Sequence, residues 1–328
     1  MSRSSQWLER LWYQPGKAYW PLLPLSWLFG AVSAVRRALF RAGILRQQKL
    51  PVPVIIVGNI TVGGTGKTPF TLALCQLLRQ HGWTPGIISR GYGANISVPT
   101  LVSLQHSAAE VGDEPLLLAQ QSGCPVVVCP DRVAAGAFLL ANTDCNIIVS
   151  DDGLQHYRLA RDVEIILLDG SRGLGNGQLL PAGPLREAPW RLTTADLVVA
   201  NSQRLAQADG VMSLQVSAAN ALVGQNTLAP CAVTLVAGIG NPARFARTAQ
   251  QAGFTLTQQY YFADHHRFSA ADFAAIDGPV LMTEKDAVKC RPFAKNNWFS
   301  LGVKAEFDTS LSTKLNTILT NLRSSYGA

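Results

Sequence analysis

Gly63, Gly64 and Gly66 stand just ahead of Lys67 and Thr68, a spacing suited to holding a polyphosphate. Glycines allow successive main-chain N–H groups to converge on phosphate oxygens, and a helix N-terminus adds positive potential. The flanks agree. Val54-Ile55-Ile56-Val57-Gly58 reads as a strand, Asn59 to Gly66 as a loop, and Lys67-Thr68-Pro69 as the opening of a helix with apolar residues through Leu78. This reading sets Thr61, Val62, Gly63, Gly64, Thr65, Gly66, Lys67 and Thr68 around the phosphates of ATP. Lys67 reaches the β and γ phosphates, and the Thr68 hydroxyl ligates Mg²⁺. The strict phosphate-loop spacing puts a glycine where this chain has Thr61, and Gly63 and Gly64 supply the missing freedom. The competing reading is a glycine turn before an ordinary helix.

A second acidic element completes the first. Asn146-Ile147-Ile148-Val149-Ser150 is a strand that ends in Asp151-Asp152-Gly153. A carboxylate at the C-terminal end of a strand beside a phosphate loop can hold Mg²⁺ or its waters. Paired aspartates also occur in plain turns, so the phosphate loop upstream carries most of the weight.

The elements that position these residues form a regular series. Ten short apolar runs, from Val54–Gly58 to Trp298–Leu301, alternate with helical stretches such as Phe70–Gln80. Their β-branched, unalternating character predicts strands buried on both faces of a parallel sheet, hence a doubly wound α/β fold of the phosphate-loop NTPase type. A Gly/Pro-rich stretch from Gly170 to Pro189 interrupts the series, and a polar stretch from Ser202 to Pro230, in which no strand is read, follows. The expected division is an N-terminal segment at 1–48, a phosphate-loop domain at 49–165 and a second α/β domain at 166–328.

Composition narrows the class. The chain has 328 residues, 48% hydrophobic and 15% charged, as befits a folded protein. Residues 1–50 hold eight Lys and Arg against one acid, Glu9, and so carry the whole net charge of +7, while 51–328 hold twenty of each sign. A nucleic-acid groove on the body needs the opposite distribution, and no nucleic acid is expected. The six cysteines form no C-x-x-C pair and no His pair stands at zinc spacing, which fits buried, reduced thiols.

The basic segment is also aromatic, with Trp7, Trp12, Trp20 and Trp27. No charge occurs between Lys17 and Arg36. A helix is expected from about Leu25, with Leu25, Leu28, Phe29, Val32, Val35 and Leu39 on one stripe, Arg37 and Arg41 opposite, and Arg36 snorkelling from the stripe. An interfacial membrane helix, a core helix of the body and a secretory signal cleaved near Val32-Ser33-Ala34 all fit in part. Positive charge on both flanks favours a helix held at the cytoplasmic side of an anionic membrane surface.

Four segments together resemble the tetraacyldisaccharide 4′-kinases, the lipid A 4′-kinases of Gram-negative bacteria. They are Gly58 to Pro69, Ser89-Arg90-Gly91-Tyr92-Gly93, Asp151-Asp152-Gly153-Leu154-Gln155-His156, and Thr283-Glu284-Lys285-Asp286-Ala287-Val288-Lys289. The resemblance extends over nearly the whole chain and includes the departure at Thr61. It implies transfer of the γ-phosphate of ATP to the 4′-hydroxyl of a membrane-embedded tetraacylated glucosamine disaccharide 1-phosphate, at the cytoplasmic face of the inner membrane.

It also implies catalytic residues. An alcohol acceptor must lose its proton during phosphoryl transfer. By resemblance Asp113, in Gly112-Asp113-Glu114-Pro115, acts as base, and His265, in Asp264-His265-His266, pairs with it. The residues alone leave Asp113 equally readable as a helix cap and His265 and His266 as loop histidines. Arg186 and Glu187 are candidates for phosphate or metal contact, with Glu187 taken as a metal ligand beside Thr68, Asp151 and Asp152. A solvated salt bridge is their plainer reading. Arg90 is read as an anion contact or a turn residue, and Thr283 and Asp286 as a site border or a helix cap. Two other functions stay open: a kinase of a soluble small molecule, and a membrane-docked switch that hydrolyses ATP or GTP without an acceptor. The sequence points to no protein partner.

Overall fold

The computed structural model describes residues 3–14, 16 and 18–327; Lys17, counted above among the basic residues, lies outside them. Its strands are β1 (Val54–Gly58), β2 (Pro85–Ser89), β3 (Thr100–Leu101), β4 (Val126–Val128), β5 (Ile147–Asp151), β6 (Val163–Asp169), β7 (Leu197–Asn201), β8 (Gly210–Ala221), β9 (Thr227–Leu228), β10 (Ala232–Ala237), β11 (Thr255–Tyr261), β12 (Val280–Thr283) and β13 (Trp298–Phe307). Its α-helices are α1 (Arg3–Tyr13), α2 (Leu23–Arg41), α3 (Lys67–Gln80), α4 (Ala108–Val111), α5 (Asp113–Ser122), α6 (Arg132–Asn142), α7 (Pro242–Gln251), α8 (Glu284–Cys290) and α9 (Thr309–Tyr326).

All these strands join in one sheet in the order β11-β10-β12-β13-β8-β7-β6-β1-β5-β2-β4-β3, with β9 on β8. β1 is central to one half and pairs in parallel with β5 on one side and β6 on the other. It is buried along its whole length because it is covered on both faces. Ile55 and Val57 pack with Phe70, Leu74 and Leu78 of α3 and Leu315 and Leu319 of α9. Val54 and Ile56 pack with Val133 and Leu139 of the α6 layer. Each such side chain contributes about 1.5–3 kcal/mol on burial. The chain order reverses about β1, so the loop at its C-terminal end opens into the crevice where doubly wound sheets bind ligands.

The fold class is as the sequence predicts, with one addition. The polar stretch after Ser202 contains β8, twelve residues long. It runs parallel to β7 through Gly210–Met212 and antiparallel to β13 through Met212–Ala221. Met212, Leu214 and Val216 alternate with Ser213, Gln215 and Ser217, which is the pattern of a half-solvated strand and not of an apolar run. The division expected between 165 and 166 falls inside β6, which is bonded to both β1 and β7, and the change from parallel to antiparallel pairing comes instead at β8.

α2 begins with Pro24 in its first turn, close to the expected start. Its faces are inverted relative to a soluble protein. Leu25, Trp27, Leu28, Val32 and Val35 are 55–67% exposed, while Ser26 is 2% exposed. The Ser26 hydroxyl donates to Leu179 O at 2.9 Å and accepts from Ala182 N at 2.9 Å. A Cβ on Gly30 would lie 2.7 Å from Leu179 Cδ1, so the helix and the 176–187 segment approach closely. Trp20–Arg41 is long and apolar enough to cross a membrane.

Candidate active site

The phosphate loop is built from polar side chains that hold its own main chain. Asn59, fully buried, donates to Thr61 O at 2.6 Å and Gly63 O at 3.3 Å, and its Oδ1 accepts from Lys67 Nζ at 3.2 Å. Val62 N donates to Pro184 O and Arg186 N to Ile60 O, at 2.8 and 2.7 Å. Gly66 adopts φ +89, and a Cβ there would lie 2.4 Å from Asn201 Nδ2. Asn201, at the end of β7, donates that amide to Thr65 O at 2.9 Å. No side chain caps the N-terminus of α3, and Gly66, Lys67 and Thr68 line the cleft, so that helix end is open to an anion.

The aspartates at the end of β5 stand beside this loop. Lys67 Nζ is 3.5 Å from Asp152 Oδ1, and Arg186 Nη1 is 3.3 Å from Asp152 Oδ2. Burial opposes charge on Asp152, yet Lys67 and Arg186 hold its carboxyl below the ordinary value. Burial, aided by the Glu114 carboxylate, pushes Asp151 up to about 7. Asp151 Oδ1 is buried and meets no hydrogen-bond partner. Arg132 donates to the carbonyls of Cys129, at 3.1 Å, and Asp151, at 3.1 Å, fixing the strand end, and burial lowers its pKa to about 10. Thr68, Asp151 and Asp152 all line the same cleft. They are hard oxygen donors of the kind Mg²⁺ takes alongside phosphate oxygens, and the orphaned Asp151 oxygen fits that use.

Opposite the loop, α5 and the loop after β11 bring together residues far apart in the chain. His265 Nδ1 lies 3.0 Å from Asp113 Oδ1 and 3.1 Å from Oδ2. Asp113 is the first residue of α5, which Gly112 precedes at φ +93, and its Oδ1 also accepts from Glu114 N at 2.9 Å. His265 sits at φ +59, rare for a non-glycine residue, with its N–H bonded to Asp264 Oδ1 at 3.0 Å. Burial disfavours the imidazolium, but the Asp113 carboxylate raises the pKa of His265 above its ordinary value. Burial likewise opposes charge on Asp113, and His265 and Lys285 hold it below. Asp113 is 5% exposed, while His265 lines the cleft.

The cleft, about 1200 Å³, runs from the phosphate loop past His265 to Trp12 and Phe29 of the N-terminal helices. Arg90 lines it, as do Glu284 and Lys285. Thr283 does cap α8, accepting from Asp286 N at 3.1 Å, and Ser269 with Asp272 forms a capping box.

Glu187, expected as a metal ligand, is engaged by four neighbours. Its oxygens accept from Gln155 Nε2 at 2.8 Å, Tyr157 OH at 2.7 Å and Arg191 Nε at 3.1 Å, and Arg37 of α2 lies 3.3 Å away. Two guanidinium groups satisfy its charge, and it ties α2 to the body. Among the described residues no group of three or more His, Cys, Asp and Glu side chains gathers in a metal-holding cluster. Sequence reasoning missed Asn201 and Arg132, and gave Lys285 and Lys289, both in the Thr283–Lys289 segment, no role of their own. Each is a polar residue at the end or in the first turns of an ordinary element, and only the assembled sheet brings it to the site.

Residues 18–320 match the family model of the tetraacyldisaccharide-1-P 4′-kinases. The chain is 47% identical over 327 residues to the tetraacyldisaccharide 4′-kinase of Shewanella amazonensis, covering 94% of each. It is 49% identical over 316 residues to that of Shewanella pealeana, covering 94% of this chain and 96% of the relative. Its fold matches the crystal structure of LpxK from Aquifex aeolicus in complex with ATP with a TM-score of 0.77 at 28% identity, covering 93% of this chain and 99% of that one.

Proposed function

The chain belongs to the tetraacyldisaccharide-1-P 4′-kinase family, and from that premise we propose how its own residues carry out the transfer. The activity is that of an ATP-dependent kinase acting on the 4′-hydroxyl of a tetraacyldisaccharide 1-phosphate in lipid A biosynthesis.

In our reading the main chain of Thr61–Thr68 wraps the triphosphate of ATP, and Lys67 meets the oxygens on which charge grows as the Pγ–O bond to the leaving ADP breaks. The Asp113–His265 pair takes the proton of the 4′-hydroxyl as its oxygen bonds to the γ-phosphorus. A carboxylate behind an imidazole fixes the ring's tautomer and keeps its far nitrogen toward the cleft. Thr68, Asp151 and Asp152 are the residues that would hold Mg²⁺. When bound, the metal offsets negative charge on the phosphates.

The acceptor arrives from the bilayer. The outward apolar stripe of α2 enters the headgroup region, while Arg36, Arg41, Arg46 and Lys49 face anionic lipid at the cytoplasmic face of the inner membrane. The observation that carries the reading is a single cleft. It has Lys67 3.5 Å from Asp152 on one side, the Asp113–His265 contact at 3.0 Å on the other, and the two N-terminal helices at its mouth.

The test is a thin-layer assay with γ-labelled ATP and a mono-phosphorylated tetraacyl disaccharide. Label is expected in the lipid for the parent chain and absent for Asp113→Asn. Label released only as inorganic phosphate refutes the acceptor. Deleting residues 1–45 separates the membrane reading from a soluble kinase, because a soluble enzyme keeps its full activity without them.

A further inference from the structure

The phosphate loop, the aspartate pair and the Asp113–His265 contact leave a nearby buried charge, Lys289, without a use. Lys289, in the last turn of α8, is 8% exposed by its side chain. Its Nζ lies 2.8 Å from Asp286 Oδ1 and 3.7 Å from Asp113 Oδ2, with the Phe268 ring centroid 4.9 Å away. Neither carboxylate contact has hydrogen-bond geometry, and Lys289 Nζ and Asp286 Oδ1 are both without a hydrogen-bond partner. An ammonium is therefore interposed between two buried carboxylates and held there by charge. Its anchor is rigid: Asp286 is fully buried, and its Oδ2 accepts from Gly238 N at 3.0 Å and Thr283 Oγ1 at 2.7 Å.

Removing a buried ammonium between two carboxylates leaves like charges facing each other, and a like charge disfavours the ionised form. We propose that Lys289 is a positioning residue, anchored by Asp286, that keeps the Asp113–His265 pair in its proton-accepting form. This rests on the assignment of that pair as the base. Lys285 shares the role in part, since it too holds Asp113 below its ordinary value, but the ammonium in ion-pair contact with Asp113 is Lys289. Lys285 lies 3.4 Å from His265 Nε2, but Glu114 at 3.0 Å and Asp264 at 3.3 Å offset its charge. Tyr92 contributes its ring, 4.8 Å from that of His265. The cation at Asp113 itself is Lys289, and it comes from α8, whose strand β12 belongs to the other half of the sheet.

The experiment follows kcat and the KM for ATP against pH in the full-length enzyme with ATP and the disaccharide lipid. Lys289→Met is expected to move the acid limb of the kcat profile up by about one pH unit, with kcat below the limb falling about tenfold. The KM for ATP stays within about twofold, since no phosphate-loop residue is touched. Lys289→Arg keeps the parent limb. The double variant Lys289→Met/Asp286→Asn shifts the limb in the same direction by less, because the facing carboxylate is gone as well. It also separates a titration effect from a folding defect, which thermal melting of each variant reports. A limb that stays in place in both Met variants overturns the inference, as does a uniform loss of kcat at every pH that Lys289→Arg shares. Asp113→Asn distinguishes the two levels. If it is inactive and the limb is unmoved, the role of Lys289 falls alone; if it transfers normally, the base assignment falls and takes this inference with it.

Discussion

Gly66 and Asn201 offer a direct measure of how tightly the phosphate loop is held. An alanine at position 66 would keep the left-handed φ of +89, at about 1–2 kcal/mol. Its Cβ would also stand 2.4 Å from Asn201 Nδ2 and 3.0 Å from Met212 Cε. Met212 can adjust at its flexible end, but Asn201 is fully buried and must leave its place. Leaving breaks its donation to Thr65 O at 2.9 Å and its acceptance from Ser202 Oγ at 2.9 Å and Arg244 Nη2 at 2.9 Å. At about 1 kcal/mol for each of these bonds, the displacement costs about 3 kcal/mol. Gly66→Ala is thus expected to destabilise by about 4–5 kcal/mol, and Asn201→Ala, which loses the same bonds without the strain, by about 3 kcal/mol. The double variant loses those bonds only once and has room for the new methyl. It should therefore match Gly66→Ala alone and fall about 3 kcal/mol short of the additive sum. Equilibrium urea denaturation of the four proteins, with unchanged m-values, measures this coupling. Additive costs would show that the loop relaxes away from β7 and that Asn201 does not hold it.

Three further outcomes follow from other contacts. Glu187→Ala removes the carboxylate that Arg37 and Arg191 share; Arg191 keeps Glu164, so the cost falls at the low end for a broken buried pair, about 3 kcal/mol; a lowered melting temperature and faster proteolysis between α2 and the body check it. Burial and the neighbouring Arg132 push His156 down to about 4, so the folded chain keeps it neutral while the unfolded imidazole titrates near 6.5. Its contribution is whole above the unfolded value and is lost as pH falls from there towards 4, by at most about 1.4 kcal/mol per pH unit, reduced by its partial exposure. His156→Gln should flatten that part of the stability–pH curve, and denaturation midpoints across it measure the change. Val32→Glu, on the 60% exposed stripe of α2, should weaken flotation with anionic vesicles about tenfold or more and leave the circular dichroism spectrum unaltered.

What could be read in advance depended on how local the determinants are. Gly63 through Thr68 were legible because strand, glycine turn, lysine and hydroxyl are contiguous, and the geometry is dictated within one strand–loop–helix unit. Asp151 and Asp152 followed from the same logic one strand away. Asp113 and His265 are 152 residues apart, and their own surroundings are compatible with a helix start and a loop; only resemblance paired them. Asn201 had no signal at all, and Lys289 stood in the Thr283–Lys289 segment with no role of its own. A buried amide at a strand end, or a lysine in a last helical turn, looks the same whether it faces solvent or a buried carboxylate. β8 escaped notice for a different reason: it is not an apolar run, and a strand with one wet face shows alternation instead.

The N-terminal helix shows where periodicity stops short. The stripe Leu25, Leu28, Val32 and Val35 announces an amphipathic helix, and in a soluble protein such a stripe turns inward. What settles the matter is the opposite face. Ser26, Gly30 and Arg37 interlock with Leu179, Ala182 and Glu187, so the polar, small-residue side has a partner and the apolar side has none in the body. The same segment that receives α2 also holds the phosphate loop, through Pro184 O to Val62 N and Arg186 N to Ile60 O, and its Arg186 reaches Asp152. The Gly/Pro-rich stretch that seemed only to interrupt the alternation of strands and helices is therefore what sets the distance from α2 to the phosphate loop. Its irregular backbone is suited to that task, because a regular element presents its main-chain groups to its own neighbours and could not bond α2 and the loop at once.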